Sequence, residues 1–159
     1  MKFKYWLVAG LLASNTAFSL DIYPQVSATI IKIKSIGEPV SKGDVVVQFD
    51  NRQAKLKLQH LQTLQQIKQQ AFDDAQLELK QTQELYERMV ASHRDLDKAQ
   101  MQFNENKREL DAHNITIKIQ EIELEKYTII SPITGTIEAV PNMRNATNHF
   151  SAKPLLTIQ

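Results

Sequence analysis

No glycine or proline occurs between Gly43 and Pro132, a stretch of 88 residues. At average usage, about 7% glycine and 5% proline, a stretch of that length holds roughly ten of these residues. β-Sandwiches and barrels need a turn about every 8–12 residues, and their turns draw heavily on both residue types. The gap therefore excludes an all-β structure in the middle of the chain and favours long helices there.

The overall charge is nearly balanced. The 159 residues include 19 Lys and Arg against 18 Asp and Glu, a formal net charge of +1. Proteins that bind nucleic acids usually show a basic excess, so the composition argues against a nucleic-acid partner. The chain has no cysteine, so packing alone must hold it together, even in an oxidising compartment.

Residues 1–19 have the pattern of a secretory signal peptide. Lys2 and Lys4 precede an apolar run over residues 5–13, and the small residues Ala17 and Ser19 suit cleavage after Ser19. The run is about half as long as a membrane-spanning helix, which makes an uncleaved N-terminal anchor the weaker alternative. Cleavage removes two lysines and no acid, so the exported chain has a net charge of −1. The sequence thus predicts a periplasmic protein.

The segment 51–127 has the composition of a long helix and carries an apolar seam. The seam advances in alternating steps of three and four residues, the 3.5-residue repeat of a coiled coil. Its first arm comprises Leu58, Leu61, Gln65, Lys68, Phe72, Ala75, Leu79, Thr82, Tyr86 and Met89. Its second arm comprises Leu96, Ala99, Phe103, Asn106, Leu110, His113, Ile117, Gln120, Leu124 and Tyr127.

A signal for a turn separates the two arms. Ser92 followed by Asp95 predicts a helix N-cap with an acid in the first turn. Folding the arms antiparallel about a turn near residues 91–94 pairs residues whose numbers add to 185, so that Gln65 faces Gln120. A slip of one heptad is the alternative register. A single continuous helix that dimerises is the alternative to the hairpin.

The segments on either side of the hairpin resemble each other. Residues 20–50 contain a β-branched run at 28–33 and a second at 45–49, with Gly37 and Gly43 at the turns. Residues 128–159 contain a similar run at 135–140 and a final run at 155–158. These runs predict short strands. Neither half can close a core alone, so we predict an α+β chain with one small β-sandwich built from both halves and interrupted by the hairpin.

These residues resemble the HlyD-like periplasmic adaptor, or membrane fusion, proteins. The resemblance rests on Gly37-x-x-Val40-x-x-Gly43 ending in Phe49-Asp50, then the coiled-coil insertion, then a Ser131-Pro132-x-x-Gly135 motif. It covers roughly residues 22–159. It implies that the two β halves form a biotinyl/lipoyl-like domain. It also implies a role in a tripartite efflux pump or a type I secretion system.

The resemblance implies where partners bind. The family docks the hairpin tip on an outer-membrane channel through an Arg, a Leu four residues later and a Ser or Thr seven after that. At this spacing the chain has Gln81, Leu85 and Ser92, so glutamine replaces the arginine. Locally, Ser92 is equally well explained as the helix cap. The other implied partner is an inner-membrane transporter complex, and the chain is expected to form a homo-oligomer.

The chain also differs from the family pattern. It stops at Gln159, directly after the last predicted strand, and lacks glycines near Ala146 and Ala152. We therefore expect a reduced adaptor, or a degenerate one without function, whose barrel domain is absent or supplied by another chain. Because the hairpin replaces the turn that presents the lysine in true lipoyl or biotinyl domains, no covalent lipoyl or biotin is expected.

No catalytic or metal-binding motif stands out in the sequence. We found no nucleophile elbow, phosphate loop or paired acids, which predicts a non-enzyme without cofactor or metal. The histidines are far apart and without a partner at metal-ligand spacing. His113 lies on the seam and is best explained as an interior histidine. His93 and His149 support the alternative function, an exported protein that binds haem or a metal on an adaptor-like scaffold.

Overall fold

Two long helices occupy the stretch without glycine or proline. Helix α1 runs over Arg52–Glu87 and helix α2 over His93–Glu125, and they pack antiparallel. The structure, a computed structural model, describes residues 19–140, 147–148 and 154–159. The predicted signal peptide, except Ser19, lies outside these residues. None of the helices within them is long and apolar enough to cross a membrane.

Short strands flank the hairpin on both sides. The described residues before it form β1 (Leu20–Ile22), β2 (Ala28–Ile33), β3 (Pro39–Val40) and β4 (Val45–Phe49). Those after it form β5 (Thr128–Ile130), β6 (Gly135–Ala139), β7 (Thr147–Asn148) and β8 (Leu156–Ile158). Gly37 and Gly43 have φ angles of 83° and 97°, which the turns before β3 and β4 require.

The strands of the two halves mix in both sheets. Within the described residues, one antiparallel sheet has the order β1-β8-β6-β3 and the other the order β5-β4-β2-β7. Each sheet therefore contains strands from before and after the hairpin. One apolar core joins them, with Phe49, Val47, Leu156 and Ile158 fully buried. The α+β class is confirmed, while the lipoyl-like character of the β unit stays a prediction.

The predicted seam lies between the helices along most of its length. Ala75, Ala99, Leu110, Ile117 and Gln120 are buried, and the other seam positions from Leu58 to Thr82 and from Leu96 to Tyr127 are partly buried. The seam ends earlier than predicted on α1. Tyr86 is 38% exposed and Met89 is 94% exposed, because Tyr86 meets only the first residue of α2, His93, and Met89 lies beyond the end of α1.

The predicted register is wrong. Phe72 stacks against Phe103 with ring centroids 5.4 Å apart, Lys68 Nζ lies 2.8 Å from Glu109 Oε2, and Gln65 Nε2 donates to Asn114 Oδ1 over 2.7 Å. These residue numbers add to 175, 177 and 179 rather than 185. Accordingly Gln65 does not face Gln120. The arms turn back earlier than assumed, since α1 ends at Glu87 and residues 88–92 connect it to α2.

A double-mutant cycle tests this register. Phe72→Ala and Phe103→Ala should couple by about 0.5–1.5 kcal/mol in the free energy of unfolding, because their rings touch. Phe72→Ala and His113→Ala, the pair expected from the sequence, should be additive within about 0.5 kcal/mol. Urea unfolding followed by circular dichroism measures both cycles. Stronger coupling of Phe72 to His113 than to Phe103 would restore the original register.

Candidate functional site

The end of α1 forms a tight cap with a left-handed residue. The Val90 N–H donates to the Leu85 carbonyl over 2.9 Å, and the Met89 N–H donates to the Tyr86 carbonyl over 2.9 Å. This pair of bonds is the Schellman pattern, in which the residue after the helix adopts a positive φ. Met89 has a φ of 59°, and no other non-glycine residue of the described chain has a positive φ.

Met89 is an unfavourable residue for this position. Glycine is usual there because a Cβ in the left-handed region costs about 1–2 kcal/mol. The Met89 side chain recovers nothing by packing, since it is 94% exposed. The chain thus holds a long, flexible apolar side chain at the outermost point of the hairpin, in a strained backbone conformation. Strained backbone conformations of this kind occur frequently at functional sites.

Three further exposed apolar side chains lie close to Met89 in the sequence. Val90 is 71% exposed, Leu85 41% and Tyr86 38%. We call Leu85, Tyr86, Met89 and Val90 the tip cluster. Large contiguous apolar patches on a protein surface commonly mark sites of protein–protein contact. The tip cluster is therefore the strongest candidate in the described chain for a protein contact.

Ser92 caps α2, as its sequence position predicts. Its Oγ accepts from the Asp95 N–H over 3.3 Å, and Asp95 Oδ2 accepts from the Ser92 N–H over 3.0 Å, which makes a reciprocal capping box. The Ser92 hydroxyl also donates to that carboxylate over 2.6 Å. The bonds from Ser92 hold the pKa of Asp95 below its ordinary value. The cap therefore stabilises the tip at neutral pH and is lost as pH falls through that lowered pKa.

The three predicted docking residues lie in different settings. Gln81 is exposed on α1, one turn before Leu85 and on the same side of the helix. Leu85 belongs to the tip cluster, and its carbonyl also receives the Ala91 N–H over 3.3 Å. Ser92 is the last residue of the connection before α2, and its hydroxyl donates a hydrogen bond to the Asp95 carboxylate. The structure thus places Leu85 and Ser92 at the tip, while their role in docking stays a prediction.

The histidines have ordinary structural surroundings. His93 Nδ1 lies 2.8 Å from Asp97 Oδ2, and its ring meets the Tyr86 ring edge-on at 6.0 Å. His113 Nε2 lies 2.8 Å from the Leu61 carbonyl in the partly buried seam, which confirms the interior assignment. Within the described residues no three His, Asp or Glu side chains are grouped to hold a metal ion. His149 lies outside those residues.

Solved structures share this architecture, although no protein-family model and no curated protein matches the sequence. MacA from Actinobacillus actinomycetemcomitans is 28% identical over 87% of this chain, with a TM-score of 0.55. ZneB from Cupriavidus metallidurans (19% identity, 91% of this chain) and the membrane fusion protein Spr0693 from Streptococcus pneumoniae R6 (15%, 89%) both have TM-scores of 0.60.

As the sequence predicts, the chain resembles the HlyD-like membrane fusion, or periplasmic adaptor, proteins. The likeness to MacA carries this assignment, whereas the lower identities to ZneB and Spr0693 support the fold alone. The chain covers 48% of MacA, 61% of ZneB and 58% of Spr0693. The chain therefore spans about half the length of the solved structures that it matches.

Met89 and Tyr86 are surface residues that the heptad pattern does not reveal. Both continue the three-four spacing of the seam, so the pattern assigned them to the interior. One signal pointed the other way. No glycine lies near the end of α1, so an ordinary residue has to take the left-handed position with which roughly a third to a half of helices end.

Replacing Met89 by glycine should stabilise the chain. Met89→Gly removes the Cβ strain without losing any packing, so the free energy of unfolding should rise by about 1 kcal/mol. The matched control is Arg88→Gly, because Arg88 is exposed with a right-handed φ of −85°. That variant should lose about 0.5–1 kcal/mol. Urea unfolding measures the free energy of unfolding of both variants. A Met89→Gly variant less stable than the unaltered chain would contradict the claim that the Met89 backbone is strained.

Proposed function

We propose that this protein acts as the periplasmic adaptor of a tripartite efflux pump or a type I secretion system. Its action is protein–protein docking and assembly rather than catalysis. One observation carries the proposal: an exposed apolar cluster stands at the far end of a long hairpin, partly on a strained residue. The likeness to MacA and to other solved adaptor proteins supports the same function.

The length of the hairpin gives the tip its reach. Helix α1 has 36 residues, which at 1.5 Å per residue is about 54 Å. A two-helix seam buries little area and encloses no interior site, so the hairpin is suited to span a distance. We propose that it crosses part of the periplasm and presents the tip cluster to the periplasmic end of an outer-membrane channel.

Several copies acting together make such a contact stable. Four apolar side chains from one chain cover far less area than the roughly 800 Å² per partner of a standard interface. Linking several tips in one assembly converts later contacts into intramolecular ones and raises the total affinity by orders of magnitude. A homo-oligomer that surrounds a conduit is therefore part of the proposal, as is contact with an inner-membrane transporter complex.

The chemistry of the tip suggests an apolar contact with the channel. Gln81 is neutral where the family carries arginine, so a bidentate ion pair is lost at that position. The tip cluster adds Met89 and Val90 to Leu85. Methionine adapts its shape to irregular surfaces because it is unbranched and flexible. We propose that apolar packing by the tip cluster replaces the missing charge, and that the signal peptide brings the chain to the periplasm.

A crosslinking experiment at the tip tests the adaptor function. A photoreactive residue at position 88 should capture an outer-membrane channel protein in living cells. Leu85→Asp should reduce that capture at least tenfold, since it places a charge in an apolar contact. Leu85→Arg should have the same effect, although its cation suits a helix C-terminus. Agreement between the two variants separates lost docking from a frayed helix.

Tyr23→Asp provides the matched control. Tyr23 is 50% exposed and lies in the β unit, far from the tip, so this substitution should leave capture unchanged. Circular dichroism should show equal helix content for all variants. Capture of nothing except further copies of this chain, or undiminished capture by both Leu85 variants, would contradict the proposed docking.

A further inference from the structure

Met89 is more exposed than any other large apolar residue of the described chain. It is 94% exposed, against 71% for its neighbour Val90 and 68% for Met101. Within the described residues, methionine occurs only at positions 89 and 101, while Met1 and Met143 lie outside them. The thioether sulfur of Met89 is therefore open to small molecules dissolved around the tip.

The surroundings of Met101 differ from those of Met89. Met101 lies within α2 and lines an open groove with Lys98 and Glu105, which stand about one turn before and after it. Long side chains at that spacing meet on the surface of a helix, so they partly cover the Met101 side chain. Met89 lies beyond the end of α1, and its neighbours cover almost none of it. We therefore expect an oxidant to reach Met89 first.

A thioether reacts with two-electron oxidants of the peroxide class to give a sulfoxide. A lone pair of the Met89 sulfur attacks one oxygen of hydrogen peroxide, so that an S–O bond forms and the O–O bond breaks. The leaving hydroxide takes the proton of the transferred oxygen and departs as water. Sulfur loses two electrons and the peroxide gains them. A methionine sulfoxide reductase reverses the change with two electrons from a pair of thiols, and the oxygen leaves as water.

The sulfoxide would change the chemistry of the tip cluster. It adds a polar oxygen that accepts hydrogen bonds to a side chain that is otherwise apolar. In an apolar contact this oxygen loses its water and gains no donor, which costs binding free energy. Oxidation of Met89 therefore opposes the docking to which Leu85, Tyr86 and Val90 also contribute.

Oxidation at this position spares the fold. Methionine oxidation disrupts a structure where the side chain is packed in a core, but Met89 is 94% exposed and has almost no packing to lose. The hydrogen bonds that end α1, from the Met89 N–H to the Tyr86 carbonyl and from the Val90 N–H to the Leu85 carbonyl, join backbone atoms alone. The modification can thus change the docking surface without unfolding the hairpin.

We infer that Met89 is a reversible oxidation site, at which a peroxide converts the tip cluster from a surface that docks into one that does not. This inference rests on the proposed adaptor function and adds a means of regulating it. It names two partners by their chemistry, a two-electron oxidant and a methionine sulfoxide reductase. It also gives a reason for a long thioether side chain at a position where glycine would be more stable.

Stepwise oxidation of the purified full chain tests the site itself. Hydrogen peroxide is added in increments, and mass spectrometry of peptides detects the uptake of one oxygen atom at Met89 and at Met101. Met89 should be oxidised first, circular dichroism should show constant helix content, and a methionine sulfoxide reductase with a dithiol should restore the thioether. Earlier oxidation of Met101, loss of helix when Met89 is oxidised, or failure of the reductase to repair Met89 would overturn the inference.

Binding to the purified channel that crosslinking captures tests the consequence, with the peroxide removed before the channel is added. Oxidation should lower the affinity of the unaltered chain about tenfold, and that of the Met101→Leu chain equally. The Met89→Leu chain has an apolar side chain without sulfur at the tip, so peroxide should not change its affinity, whatever the starting value. Met89→Gln places an oxygen where the sulfoxide has one, and should bind about tenfold more weakly than the unaltered chain without any treatment.

The two proposals can be told apart, because the affinity before oxidation measures docking and its change on oxidation measures the effect of Met89. If the untreated chain binds and its affinity stays the same after Met89 is oxidised, the oxidation site has no role and the adaptor function stands. A loss of affinity that persists in the Met89→Leu chain overturns the inference in the same way. An untreated chain that binds no channel overturns the adaptor function, and the inference with it.

Discussion

The pairing of β4 with β5 is the constraint on which the rest of the molecule depends. Val47 pairs with Ile129 and Gln48 with Thr128, and the Phe49 N–H donates to the Tyr127 carbonyl over 2.9 Å. These bonds hold the two ends of the hairpin side by side on one sheet. Phe49, which lies at the end of β4, is also fully buried in the shared core. Both helices therefore leave the β unit from a fixed base, and their stiffness determines where the tip stands.

Polar contacts inside the seam specify one register of the helices. Gln120 is buried and donates to the Ala54 carbonyl, while Gln65 donates to Asn114 in the partly buried seam. A slip by one heptad would leave such groups in the seam without these partners, at a cost of about 1–3 kcal/mol for each buried group. At these layers the seam buries polar side chains in place of apolar ones. In return, the tip has a defined position relative to the β unit.

The sequence predicted the helices and the cap at Ser92 because both follow from local patterns, and it predicted the mixing of the two β halves because neither half can close a core alone. The register could not be predicted, since a seam with a period of seven looks the same after a shift of seven. Only the length of the connection at residues 88–92 distinguishes the registers. Met89 was misplaced for a related reason. A heptad pattern does not state where a helix ends, and the left-handed conformation of Met89 depends on the cap that the folded chain forms.

The tip cluster links the fold to the proposed function. The strained backbone of Met89 lowers the stability of the chain, while its exposed side chain is available for an apolar contact with a partner. The most direct measurement is the affinity of the Met89→Gly chain for the purified outer-membrane channel that crosslinking captures. If Met89 is kept at a strained position for docking, binding should weaken by at least tenfold, about 1.4 kcal/mol, while circular dichroism shows an intact hairpin. Affinity equal to or higher than that of the unaltered chain would contradict the role of the tip cluster.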